Sequence, residues 1–185
     1  DPKDFESIVD SDVAVVAVML AHNTTGIVQP VTEICNLANS HGVPVHVDAV
    51  QAAGKTTIEF YQLGATSLAV SAHKFGGPRG VGALIIQKCV DLVPIWSGGG
   101  QEEGKRSGSH ANALIAGMAA AADATIFDQD AMAAKRDVFE AGLIAETGAQ
   151  ILGAEHPRLP NTCAAIIGGI DGRAFVKAMD EKYIA

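Results

Sequence analysis

Residues 13–20 (Val-Ala-Val-Val-Ala-Val-Met-Leu) form an unbroken β-branched and apolar run. A run of this kind reads as a strand buried on both faces, which is the signature of a parallel sheet. The polar loop His22-Asn23-Thr24-Thr25-Gly26 then interrupts it. Pro30 suits a first helical turn. Val31, Ile34, Cys35 and Ala38 follow at the i, i+3, i+4, i+7 spacing of an amphipathic helix, and Gly42 ends it. Residues 43–47 read as the next strand, with Pro44 near its start. The three elements make a β-α-β unit, whose crossover is right-handed.

Further strands are predicted over 67–71 and 81–87, and the glycine- and proline-rich linker 75–80 allows an antiparallel return between them. Residues 93–96 read as a short fifth strand, and a glycine-dense loop runs from 97 to 109. From 111 the composition shifts to an Ala-rich helix reaching about 127, followed by a helix over 130–147, a strand over 161–167 and a last helix over 172–182. The fold class is therefore α/β, a mixed, mainly parallel sheet with flanking helices. A boundary near Asp128 separates residues 1–127, a partial large domain, from 128–185, part of a small C-terminal α+β domain. The small number of strands, with helices on one side, leads us to expect a fragment of a larger fold.

Composition narrows the function. Apolar residues are 48% of the 185 and charged residues 18%, enough to build a core and too apolar for disorder. The formal net charge of −8 argues against a nucleic-acid partner or an anionic membrane surface. The longest apolar run is too short to span a bilayer. Cys35, Cys89 and Cys163 are widely spaced and odd in number, with no metal-ligand spacing, which suits a reducing, cytoplasmic setting.

Two residues with chemistry follow predicted strands. Asp48 ends the strand 43–47, and Lys74 follows the strand 67–71. In a parallel sheet both open onto the carboxyl edge, where α/β proteins bind ligands. Alone, Asp48 reads as well as a turn cap, and Lys74 as a solvated surface lysine. Together they suit pyridoxal phosphate, which needs a lysine for a Schiff base and an acid against its pyridinium nitrogen. Ser71 and His73 flank Lys74 and can serve the phosphate, although His73 alone reads equally as a structural histidine. Gln51 reads as a donor to the ring hydroxyl or as a helix cap, and Asn23 lies at the same edge or is a turn asparagine. In the loop 98–109 glycines permit close backbone approach, and Arg106, Ser107 and Ser109 can contact phosphate. The alternative is a flexible surface loop. Its spacing fits neither GxxxxGK[ST] nor GxGxxG, which argues against a nucleotide loop.

The strings from His46-Val47-Asp48-Ala49-Val50-Gln51 to Lys55, from Ser71-Ala72-His73-Lys74 to Gly80-Val81-Gly82, and Gly98-Gly99-Gly100-Gln101 through Ser109 resemble the cysteine desulfurases, of the class V aminotransferase group of fold-type-I pyridoxal phosphate enzymes. The resemblance implies that Lys74 is the Schiff-base and proton-shuttling lysine. It implies that Asp48 pairs with the pyridine nitrogen, Gln51 with the ring oxygen, and Ser71 and His73 with the phosphate. Asn23 matches the second asparagine of the family's Asn-Asn loop, and Ser109 stands where the family has a Thr that reaches a phosphate across a homodimer interface. The implied reaction removes sulfur from L-cysteine, leaving alanine and a persulfide for a sulfur-acceptor protein, as in iron–sulfur cluster or thio-cofactor supply. His22-Asn23-Thr24-Thr25-Gly26 departs from Asn-Asn-Glu-x-Gly, and Ser109-His110 from Thr-Glu. The family's ring-stacking His, its persulfide-forming Cys and its carboxylate-binding Arg have no match here. All three cysteines read as structural. A selenocysteine lyase, a small-amino-acid aminotransferase and an inactive truncated relative are the alternatives. A nicotinamide-binding domain is disfavoured, since no glycine fingerprint follows the first strand.

Overall fold

Alternation of side chains across a strand decides which residues of the valine-rich segments face a core. A computed structural model of the chain describes residues 2–124 and 128–182. The elements run α1 (Pro2–Glu6), β1 (Val16–Met19), α2 (Val31–Ser40), β2 (Val45–Asp48), α3 (Phe60–Leu63), β3 (Ser67–Ser71), β4 (Gly82–Ile86), α4 (Asn112–Ala124), α5 (Gln129–Thr147), β5 (Gln150–Ile151), β6 (Ala165–Ile166) and α6 (Gly172–Asp180).

β1, β2 and β3 pair in parallel in that order, and β4 returns antiparallel beside β3. Val16 lies opposite Val45, Val18 opposite Val47, and Val47 opposite Leu68, so one face of the sheet is aliphatic. Against it pack Val31, Ile34, Cys35 and Ala38 of α2, the stripe set by helical spacing. Val45, Val47, Cys35 and Ala38 are fully buried. Each such valine contributes about 1.5–3 kcal/mol from removal of apolar surface from water. Burial holds the Cys35 thiol up at about 11, so it stays protonated at neutral pH. Among the described residues no helix is long and apolar enough to cross a membrane.

Three expectations need correction. Residues 13–20 are not buried on both faces: Ala17 and Met19 are exposed, because the packed α2 covers only the opposite face of β1. Residues 93–96 form no strand. Val93, Ile95 and Trp96 are 79%, 88% and 69% exposed, and no described strand lies beside them to pair with. The strand expected over 161–167 shrinks to β6, which pairs only with the two residues of β5. The helix expected to reach 127 is described as far as Ala124, and its residues 125–127 lie outside the described residues.

A strap formed by residues 157–162 closes over the loop that follows β1. Val28 N–H donates to the Pro157 carbonyl and Leu159 N–H to the Gly26 carbonyl, both at 2.8 Å. Gly26 has φ +74°, and a Cβ there would stand 2.7 Å from Thr162 Cβ, so no side chain fits. Leu159 inserts into the core. From α5, Arg136 Nη1 donates to the Leu159 carbonyl at 2.9 Å. Arg158 grips the Glu140 carboxylate with two bonds of 2.6 and 2.8 Å, and both side chains are more than 90% buried.

Removing one partner of a buried ion pair strands the other charge. Glu140→Ala is therefore expected to cost about 3–5 kcal/mol of stability, read by denaturant unfolding. Hydrogen bonds from Arg158 hold the Glu140 carboxyl below its usual range, against the opposing effect of burial. A depressed folded-state value stabilises above the ordinary glutamate range, and that stability is lost as pH falls through the folded value. Glu140→Gln should flatten this acid limb. An unchanged limb would remove Glu140 from the account.

Candidate functional site

Parallel strands that start together end together, and Asn23, Asp48, Gln51, Ser71, His73 and Lys74 lie at or just after the carboxyl ends of β1, β2 and β3. Asp48 closes β2 opposite Met19 of β1 and Ala69 of β3. Its Oδ1 accepts Val50 N–H at 2.9 Å, turning the chain into the turns that carry Gln51 and Lys55. Asp48 is thus a turn cap, as its position alone suggested. It is also exposed at the edge, and Oδ2 has no partner among the described residues.

β3 runs two residues past Ala69 to Ser71, and a 3-10 turn over Ala72–Lys74 follows. Ser71 Oγ and His73 Nδ1 lie 2.9 Å apart, which couples the hydroxyl to the imidazole. Buried Ala72 organises the turn: its carbonyl accepts Phe75 N–H at 3.1 Å and Gly77 N–H at 2.9 Å. A Cβ on Gly77 would stand 2.8 Å from Ala72 Cβ, and one on Gly82 would stand 2.5 Å from the Val70 carbonyl oxygen. The glycines of this string are therefore needed for chain approach. Lys74 leaves the turn half-buried.

Asn23 lies in the exposed loop beyond β1, at the same edge. His22 builds that loop: its backbone carbonyl accepts Gly26 N–H at 2.9 Å and its Nδ1 accepts Thr25 N–H at 3.2 Å. Gln51 is half-buried, and its carbonyl and Oε1 accept from Lys55 Nζ at 2.9 and 3.4 Å. Lys55 had a place in the motif but no assigned role. Its spacing of four residues from Gln51 was the signal that could have found it.

Ser109 lies in the loop before α4. Its carbonyl accepts from Arg106 Nη1 at 3.4 Å, and no described hydrogen bond or ion pair joins it to Asp48, Ser71, His73 or Lys74. The loop around it is exposed and bonded to itself, with Ser107 Oγ donating to the Trp96 carbonyl and Gly108 N–H to Gln101 Oε1. Leu114 and Gly117 of α4 rest against Gly80 and Pro78, which seats α4 over the turn after Lys74.

The cysteines fall elsewhere. Cys163 packs by Glu140, and burial followed by the hydrogen bond to that carboxylate raises its thiol. Cys89 is exposed on the turn after β4, at the edge opposite Lys74, because β4 runs antiparallel. Packing thus accounts for Cys35 and Cys163 but not for Cys89. The carboxyl edge therefore presents two amines, a carboxylate, a hydroxyl–imidazole pair and two carboxamides.

A family model described as Aminotransferase class-V matches residues 1–185. The chain is 39% identical over 179 residues to an IscS-like cysteine desulfurase of Mycobacterium tuberculosis, covering 94% of this chain and 46% of that protein. It is 35% identical over 190 residues to the cysteine desulfurase NifS of Azotobacter vinelandii, covering 100% and 47%. Among solved structures, a NifS-like protein superimposes with a TM-score of 0.93 at 33% identity, covering 100% of this chain and 52% of that one. DndA from Streptomyces lividans gives a TM-score of 0.83 at 31% identity, covering 98% and 53%. The chain spans about half the length of the curated relatives it matches.

Gly77→Ala is expected to destabilise by about 1–3 kcal/mol through overpacking against Ala72. Gly142→Ala, in the open middle of α5, should stabilise by about 0.5–1 kcal/mol. Denaturation midpoints of the two variants check both signs, and equal midpoints would remove the close approach at Gly77 from the account.

Proposed function

Because the chain belongs to the class-V aminotransferase family, we propose that it serves a pyridoxal-phosphate-dependent cysteine desulfurase. The reaction takes sulfur from L-cysteine, leaves alanine and passes the sulfur on as a persulfide. One observation carries this reading: the parallel pairing of β2 with β3, at the register Asp48 opposite Ala69, brings Asp48 and the Ser71–Lys74 turn to one sheet edge.

The residues fit that cofactor by their chemistry. Asp48 keeps Oδ2 without a described partner, so it can accept from a protonated ring nitrogen. Gln51 has its oxygen toward Lys55, which leaves its NH2 for a ring oxygen. Ser71 and His73 form a coupled donor pair beside Lys74, suited to a phosphate. When bound, the cofactor supplies an electron sink for the pair released as a proton leaves the substrate's α-carbon.

The chain's own residues do the rest. Asp48 keeps the ring nitrogen protonated. The Lys74 amine holds the cofactor, then takes the α-proton and delivers a proton to the product. Asn23, at the same edge, orients cofactor and substrate. The sulfur acceptor is none of the three cysteines: Cys35 is buried and protonated, Cys163 is packed on Glu140, and Cys89 is at the far edge. Ser109 is assigned to the phosphate of a second copy in a homodimer, since no described hydrogen bond joins it to Lys74 of its own chain. A division near Asp128, a sulfur-acceptor protein and a cytoplasmic setting complete the reading.

Borohydride reduction of the full-length protein with pyridoxal phosphate, followed by peptide mapping, should place the label on Lys74. Lys74→Ala should abolish the label and lower sulfide release from L-cysteine by at least roughly 10²–10⁴-fold, the usual range for a lost acid–base group. Keto-acid formation without sulfide would transfer the reading to an aminotransferase. A label on any other lysine would sink it.

A further inference from the structure

Lys55 is a second lysine at the same edge, and the proposed reaction gives it nothing to do. It is half-buried in the turns that follow β2. Its Nζ donates to the Gln51 carbonyl at 2.9 Å, which anchors the ammonium, and reaches Gln51 Oε1 at 3.4 Å from that anchored position. A lysine ammonium has three N–H donors and no acceptor. Beside it, the Gln51 carboxamide is favoured in one orientation only, with its oxygen toward Nζ and its NH2 away. No other described hydrogen bond reaches the Gln51 side chain, so nothing else decides between the two amide orientations. The wrong orientation would set a carbonyl oxygen against the ring oxygen of the cofactor, two acceptors facing each other.

We propose that Lys55 is a positioning residue that fixes the orientation of the Gln51 carboxamide, so that its NH2 and not its oxygen meets the cofactor ring oxygen. The inference rests on the pyridoxal phosphate reading. Burial, and after it the positive charge of Lys74, hold the Lys55 ammonium below its ordinary range. The two lysines therefore lie within electrostatic reach, which agrees with a place for Lys55 beside the cofactor.

The test compares wild type, K55M, K55R, Q51A and K55M/Q51A as full-length holoenzymes. The readouts are the visible absorption spectrum of the bound cofactor and its dissociation constant. K55M is expected to change the balance between the protonated and unprotonated cofactor bands and to weaken retention about tenfold, the scale of one lost or misdirected hydrogen bond. K55R keeps a cationic donor and should restore both. In the Q51A background K55M should add nothing, since residues that act through one another are not additive. A K55M spectrum identical to wild type overturns the proposal, as does an effect that adds in full to that of Q51A. A K55M protein that fails to fold also counts against it, because orienting one amide does not hold the fold together. Absence of any cofactor band in wild type overturns the function itself, and is thereby told apart from failure of this inference alone.

Discussion

Parallel pairing of β2 begins at the buried Val45 against β1 and at His46 against β3, and ends at Asp48 against both. The valines of β2 cannot leave water unless aliphatic neighbours cover them, and Val16, Val18, Leu68 and the stripe on α2 do so. A slip of one residue would turn Val45 and Val47 to the open face and bring His46 into the core. The register is therefore set by burial, and the positions of Asp48, Ser71 and the turn to Lys74 follow from it. The site's polar groups sit where they do because apolar groups several residues earlier admit one alignment.

The strap over the loop after β1 solves a different problem. Ile27 bridges Arg158, Val28 N–H donates to the Pro157 carbonyl, and Leu159 enters the core. Arg158 must be buried for this to happen, and a buried guanidinium needs a carboxylate of matching geometry. Glu140 supplies it from α5, with Arg136 adding a bond to the strap backbone. The ion pair thus ties the helix after residue 128 to the loop that carries Asn23. The strap's backbone bonds reach Gly26 and Val28, at the far end of that loop.

Much of the candidate site was legible from local pattern. The apolar runs before Asp48 and Ser71 marked strands, and these residues lie at the carboxyl edge that the pattern implied. The 3-10 turn at Lys74 and the glycines that close it agree with the dense string around them. Other features were hidden because they depend on partners far along the chain. Residues 93–96 have the composition of a strand, but a strand needs another to pair with, and no described strand lies beside them. Residues 13–20 are apolar enough for two buried faces, yet only one is covered. β5 is two residues long and gives no period to detect.

What the sequence determined by itself was the kind of element each segment forms and the chemical groups placed at its ends. Backbone sterics, side-chain branching and spacing act over a few residues and can be read directly. Tertiary structure alone decided the register that places Asp48 opposite Ala69, the pairing of Glu140 with an arginine 18 residues away, and the covering of one sheet face rather than two. Those outcomes depend on which distant surfaces bury one another, because hydrophobic burial and charge pairing act through space without regard to separation along the chain.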